Sequence, residues 1–211
     1  MTDAIVTAEK LLQAGSVKLR PSEPFTWASG WKSPIYCDNR KLLSLPFTRD
    51  FIKSELANVI FEKFADAEVI AGVATAGIPW GAMVADQLKL PFIYVRPKPK
   101  EHGMGNQIEG EVPTTQKVIV VEDLISTGKS SLQVVDVLRR EGIKVSGMVS
   151  IFNYQFDIAL EAFKAADVPF FSLTDYPNLL QLALQKGLIK EEEQEILLKW
   201  RANPAAWTGV Q

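Results

Sequence analysis

Two adjacent carboxylates, Glu122 and Asp123, follow directly on four β-branched apolar residues, Val118 to Val121. After them comes a run of hydroxyls and a glycine, Ser126-Thr127-Gly128-Lys129-Ser130-Ser131. Residue types in that order describe a buried strand that presents acids at its C-terminal end, then a loop that opens a helix. Ligands of parallel sheets collect beyond such strand ends. Backbone N–H groups and the dipole at a helix start favour a phosphate. Gly128-Lys129-Ser130 ends like a P-loop, but G-x-x-x-x-G-K-[ST] needs glycine at position 123, where Asp123 stands and would repel phosphates. That excludes a nucleoside triphosphatase. The plainer alternative is a strand–helix turn capped by Ser126 or Thr127 with exposed acids.

A second group is cationic. Arg96, Lys98, Lys100 and His102 lie within seven residues of a chain whose 23 Lys+Arg and 25 Asp+Glu leave a net charge of −2. In an extended segment, positions 96, 98 and 100 point one way and could meet a polyanion; the ordinary alternative is a solvated charge run. The slightly acidic balance argues against a generic nucleic-acid binder, and 47% apolar residues argue against disorder. One histidine, His102, and one cysteine, Cys37, allow no internal disulfide. They also exclude a Cys/His zinc centre and offer no Ser–His–Asp or Cys–His arrangement. No stretch approaches 18 uninterrupted apolar residues, and Met1–Leu12 has no basic region ahead of an apolar run. The expectation is a cytoplasmic protein that neither spans a membrane nor binds nucleic acid.

The elements that must position these groups follow from periodicity. Helical spacing covers 3–14, 47–64, 76–88, 130–141 and 156–166. Short β-branched runs at 68–73, 92–95, 117–121, 145–152 and 170–173 read as strands. Strands alternating with helices imply a parallel sheet covered on both faces. Residues 22–40, rich in Pro, Ser, Gly and aromatics, read as irregular strands and turns, and 178–200 as one or two helices at the edge. Residues 97–116 hold three prolines and three glycines and read as a polar loop, either a lid or a tolerated insertion.

VIVVEDLISTGKS resembles the phosphoribosyl pyrophosphate signature of the type I phosphoribosyltransferases. FTWASGWKSPIYCDNR (25–40), VIAGVATAGIPWGAMVA (69–85) and YVRPKPKEHGMGNQIEG (94–110) resemble the orotate-specific branch of that family. The resemblance implies a single phosphoribosyltransferase domain over 1–211: a hood at about 16–45, a core at about 46–175 and C-terminal helices at about 176–211. Its fold would be α/β, a central mostly parallel sheet flanked by helices, with a small N-terminal hood and a long mobile loop. It implies transfer of ribose-5-phosphate from 5-phospho-α-D-ribose 1-diphosphate to orotate in pyrimidine (UMP) biosynthesis. Mg²⁺ would be carried mainly by the diphosphate, with no direct protein ligand, in a homodimer with shared active sites.

Residue by residue, the resemblance places Glu122 and Asp123 on the ribose hydroxyls. The backbone from Leu124 and Ile125 through Ser126, Thr127, Gly128, Lys129 and Ser130 would hold the donor, its last four residues around the 5′-phosphate. Thr75, Ala76 and Gly77 would lie at the pyrophosphate, with Arg96, Lys100 and His102 meeting it from the loop. Ser126, Tyr36 and Tyr154 would touch orotate. Lys100, His102 and Asp123 are the expected catalytic groups. Some relatives carry cations at the places of Ala28, Ala76, Pro97 and Tyr154; Lys32 and Arg40 are the nearest substitutes by sequence for holding the orotate carboxylate. A purine or uracil transferase is disfavoured by SGWKSPIY and the KEHGMGNQIEG loop. A transcriptional regulator built on this fold is disfavoured because residues 1–24 are too short for a winged helix.

Overall fold

The computed structural model describes residues 3–27, 29–99, 106–111 and 113–209. Its first helix, α1 (Ala4–Gln13), starts where the Asp3 carboxylate accepts the N–H groups of Ile5 and Val6. The hood follows: β1 (Val17–Leu19), β2 (Phe25–Thr26), β3 (Lys32–Ser33) and β4 (Ile35–Cys37). β1 pairs antiparallel with β4, and β2 with β3. A 3-10 turn, Asn39–Ser44, joins the hood to α2 (Pro46–Lys63), which opens on proline.

The core continues as β5 (Val69–Val73), α3 (Gly77–Leu88), β6 (Phe92–Val95), β7 (Ile108–Glu109), β8 (Lys117–Ile125), α4 (Lys129–Arg140), β9 (Lys144–Asn153), α5 (Asp157–Ala165) and β10 (Phe170–Asp175). Two helices close the chain, α6 (Tyr176–Gln185) and α7 (Glu191–Ala202). The main sheet has six strands in the order β10-β9-β8-β5-β6-β7, parallel except for β7, which runs antiparallel to β6. A central, mostly parallel sheet flanked by helices is the α/β architecture that the resemblance implied. The inner strands β5 and β8 bury Val69–Val73 and Val118–Val121 completely or nearly so, as central parallel strands must. From β5 the chain moves one way to β6, then returns to the other side for β8, β9 and β10. The direction therefore reverses between β5 and β8, where open α/β sheets hold their ligands.

Three expectations change. First, β8 runs to Ile125, so Glu122 and Asp123 lie inside the strand rather than beyond it. Second, residues 97–116 are not without regular structure: β7 lies among them, with Val95 opposite Ile108 and Tyr94 opposite Glu109. The Pro- and Gly-rich composition hid a two-residue strand too short to show a period. Third, the C-terminal helices do more than cover an edge. Trp200 is fully buried and donates its indole N–H to the carbonyl of Lys32 at 3.0 Å, tying α7 to the hood.

Candidate active site

Glycines set the spacing at the switch point. A Cβ on Gly77 would stand 2.5 Å from the carbonyl oxygen of Val121, and one on Gly72 would stand 3.0 Å from the backbone of Gly77 and Ile78. Small residues thus let α3 start directly against β8, which brings Thr75-Ala76-Gly77 beside the acid pair. Thr75 is exposed and Gly77 buried. At the end of β8, Gly128 takes φ +77° and turns the chain into α4 against Phe163 of α5. Lys129 and Ser130 are exposed, and Ser126 and Thr127 half-buried. Both loops therefore lie at the C-terminal ends of adjacent parallel strands, with free N–H groups at the start of α4.

The two carboxylates are not equivalent. Glu122 is 5% exposed. Its Oε1 accepts the backbone N–H of Asp123 at 2.9 Å and its Oε2 accepts the Ser131 hydroxyl at 3.2 Å. Burial, and then the neighbouring Asp123 charge, push its carboxyl well above the usual range. Asp123 is half-buried. Burial also raises its carboxyl, opposed by the Arg40 guanidinium among other groups. Asp123 is thus the acid that can face a ligand, and Glu122 braces its backbone. Leu124 packs on the core and Ile125 is buried, so both present only backbone to a ligand.

Asn39 holds Asp123 from the other side. Fully buried, it donates its amide N–H to the Asp123 carbonyl at 2.8 Å, across 84 residues of sequence. Cys37 donates its thiol to the amide oxygen of Asn39 at 3.3 Å. Burial and the charges of Asp123 and Asp38 push that thiol up, which keeps it neutral and non-nucleophilic. Arg40 binds Asp38 at 2.6 Å and leaves its side chain 63% exposed. Lys32 bonds the Thr26 hydroxyl on the exposed hairpin. Of these two cations, Arg40 is the one whose charge acts on Asp123.

Tyr36 is exposed on β4 with its ring 5.6 Å from Phe25. Tyr154 is 1% exposed, stacked on Phe156 at 5.2 Å and packed against Trp27 and Trp200. Burial pushes its phenol well up, keeping it neutral; the residues acting on it include Cys37, Tyr36 and Asp123. The hood and the end of β9 thus converge beside the acid pair. Arg96, at the end of β6, lies 3.6 Å from Glu109 of β7. Arg96 also lines a groove of about 690 Å³ between the end of β6 and α4, with Gln107, Gln133, Asp136 and Arg140; the acid pair is not part of it. Lys100, His102 and Ala28 lie outside the described residues. Asn39, Ser131 and Trp200 were not legible as site residues: each acts through a partner distant in sequence or hidden in the fold.

A phosphoribosyl transferase domain model matches residues 50–160. An orotate phosphoribosyltransferase of Bacteroides thetaiotaomicron is 56% identical over 200 residues, 95% of this chain and 94% of that protein. Among solved structures, orotate phosphoribosyltransferase from Aeropyrum pernix superposes with a TM-score of 0.75 at 31% identity, covering 87% of this chain and 99% of that one. Leishmania donovani UMP synthase gives a TM-score of 0.78 at 25% identity, covering 94% of this chain and 42% of that one.

Proposed function

Since the chain belongs to the orotate phosphoribosyltransferase family, we propose that it transfers ribose-5-phosphate from 5-phospho-α-D-ribose 1-diphosphate to N1 of orotate. Orotidine 5′-phosphate and pyrophosphate are the products, in the synthesis of UMP. The observation that carries this reading is a half-buried acid, Asp123, beside a glycine turn and a helix start at the reversal point of the sheet. A 5′-phosphate at α4 leaves the ribose hydroxyls over Asp123.

In this reading the N1–C1 bond forms as the C1–O bond to pyrophosphate breaks, with the sugar oxocarbenium-like between, and the N1 proton passes to the departing pyrophosphate or to solvent. Asp123 accepts hydrogen bonds from the ribose hydroxyls. Backbone N–H groups of Thr127 to Ser130 hold the 5′-phosphate. Thr75 to Gly77 lie along the pyrophosphate, where small residues permit close backbone approach. Arg96 gives a cation to the leaving group, exchanging Glu109 for it, and Lys100 and His102 join it from the neighbouring segment. Tyr36, Ser126 and Tyr154 bound the orotate site; the neutral Tyr154 phenol suits a neutral ring edge, and Arg40 is the cation nearest the acid pair for a carboxylate. Closure of the segment around Lys100 would exclude water from the electrophilic sugar.

Among the described residues no three His, Cys, Asp or Glu side chains converge. The family resemblance supports Mg²⁺ carried mainly by the substrate diphosphate, with no direct protein ligand. When bound, it neutralises and orients the leaving diphosphate. The reading also includes a homodimer with shared sites, supported by the family resemblance, and a cytoplasmic location, supported by the single free thiol. No helix among the described residues is long and apolar enough to cross a membrane. The test is orotate absorbance with purified protein, donor and Mg²⁺, with uracil, adenine, guanine and xanthine run in parallel. Loss of orotate alone is expected; turnover of another base instead would overturn the substrate assignment.

A further inference from the structure

The strand that carries the acids outruns its neighbour. Pairing of β8 with β5 ends at Val121 opposite Gly72, yet β8 continues to Ile125. Past that point its backbone has no strand on the β5 side, and every buried peptide group needs a partner from elsewhere. For Asp123 both partners are side chains. Its N–H goes to Glu122 Oε1 at 2.9 Å and its C=O receives Asn39 Nδ2 at 2.8 Å. The Asn39 amide is satisfied at both ends, because Cys37 Sγ donates to its oxygen. A fully satisfied buried amide is rigid in a way that a surface contact is not.

Asn39 belongs to the hood, not to the core. It lies two residues past the end of β4, and β4 is seated by its pairing with β1 and by the bond from the Trp27 indole to the Ile35 carbonyl. The hood is also where the orotate site lies, through Tyr36. One buried amide therefore joins the base-binding flap to the backbone of the acid that takes the ribose.

We propose that Asn39 is a positioning residue: it replaces the missing strand beside Asp123, aims the Asp123 carboxylate at the ribose hydroxyls, and transmits the seating of the hood to donor binding. This rests on the reading of the chain as an orotate phosphoribosyltransferase.

The test is a double-mutant cycle on donor affinity, measured by calorimetry with Mg²⁺. Asn39→Ala and Asn39→Asp are each placed in the wild-type and Asp123→Asn backgrounds. Asn39→Asp keeps the shape and loses the donated hydrogen bond, and it decides the matter if the alanine variant does not fold. If Asn39 acts through Asp123, each substitution weakens donor binding about tenfold beside Asp123 and less than about twofold beside Asn at 123. A bystander that merely steadies the hood would give equal losses in both backgrounds, and that result, or no loss in either, overturns the proposal. A second readout is the gain in donor affinity on adding orotate. It is expected to shrink in both Asn39 variants, and an unchanged gain would overturn the coupling. Wild-type protein that neither binds donor nor consumes orotate would instead overturn the functional reading, so the two failures are distinguishable.

Discussion

Burying a carboxylate costs free energy unless its charge is paired, and Glu122 is surrounded by a hydroxyl, an N–H and another acid rather than by a cation. Its carboxyl is held above the ordinary value of 4.5, so at mildly acidic pH the folded protein keeps a proton that the unfolded chain releases. The associated stability is complete below about pH 4.5 and is lost as pH rises through the folded value. Glu122→Gln keeps the acceptor for the Asp123 N–H and never ionises. It is expected to melt about 2–4 °C above wild type at pH 7.5, with the advantage vanishing towards pH 4. Thermal melts across that range check the sign. An advantage independent of pH would mean that the group is not the one being titrated.

Among the elements, the contact between α3 and β8 decides where the pyrophosphate loop lies. The oxygen that a Cβ on Gly77 would strike belongs to the backbone of a central strand and cannot step aside. Gly77→Ala is therefore expected to cost about 2 kcal/mol and to lift the start of α3. Donor KM should rise several-fold while orotate KM stays near wild type, because α3 packs chiefly on β5, β8 and α2. Urea unfolding gives the first quantity and steady-state kinetics the second. Equal changes in both KM values would show that the disturbance spreads beyond the loop.

For the whole molecule, the last helix fastens the first strands. Trp200 lies in an aromatic cluster with Trp27, Tyr154, Phe156 and Tyr176, all with ring centroids within 5.7 Å of its own. Its indole N–H reaches the hood at Lys32. Trp200→Phe retains most of the packing and removes that bond; orotate KM is expected to rise about three- to tenfold, and donor KM by a smaller factor through the Asn39 link to Asp123. Trp200→Ala should also cost about 3–5 kcal/mol of stability. Orotate kinetics for the Phe variant, with a melt of each protein, check this. An unaltered orotate KM in the Phe variant would mean that packing alone seats the hood.

What the sequence by itself determined is what repeats locally. The VIVV run before two acids, the glycine at 128 and the alternation of apolar runs specify a central parallel strand, a phosphate-facing turn and an α/β sheet, because each depends on period and residue type within a few positions. The family resemblance resides in the same contiguous stretches. What only the tertiary structure decided lies between segments. It makes Asp123 the accessible acid and Glu122 its brace, since strand β8 extends past β5 and its free peptide groups take whatever the fold brings near. It brings Asn39 to Asp123 across 84 residues, pairs Ile108 and Glu109 with β6, and sets Trp200 under the hood. No periodicity encodes such contacts, because each is chosen by packing the whole chain and not by the residues on either side.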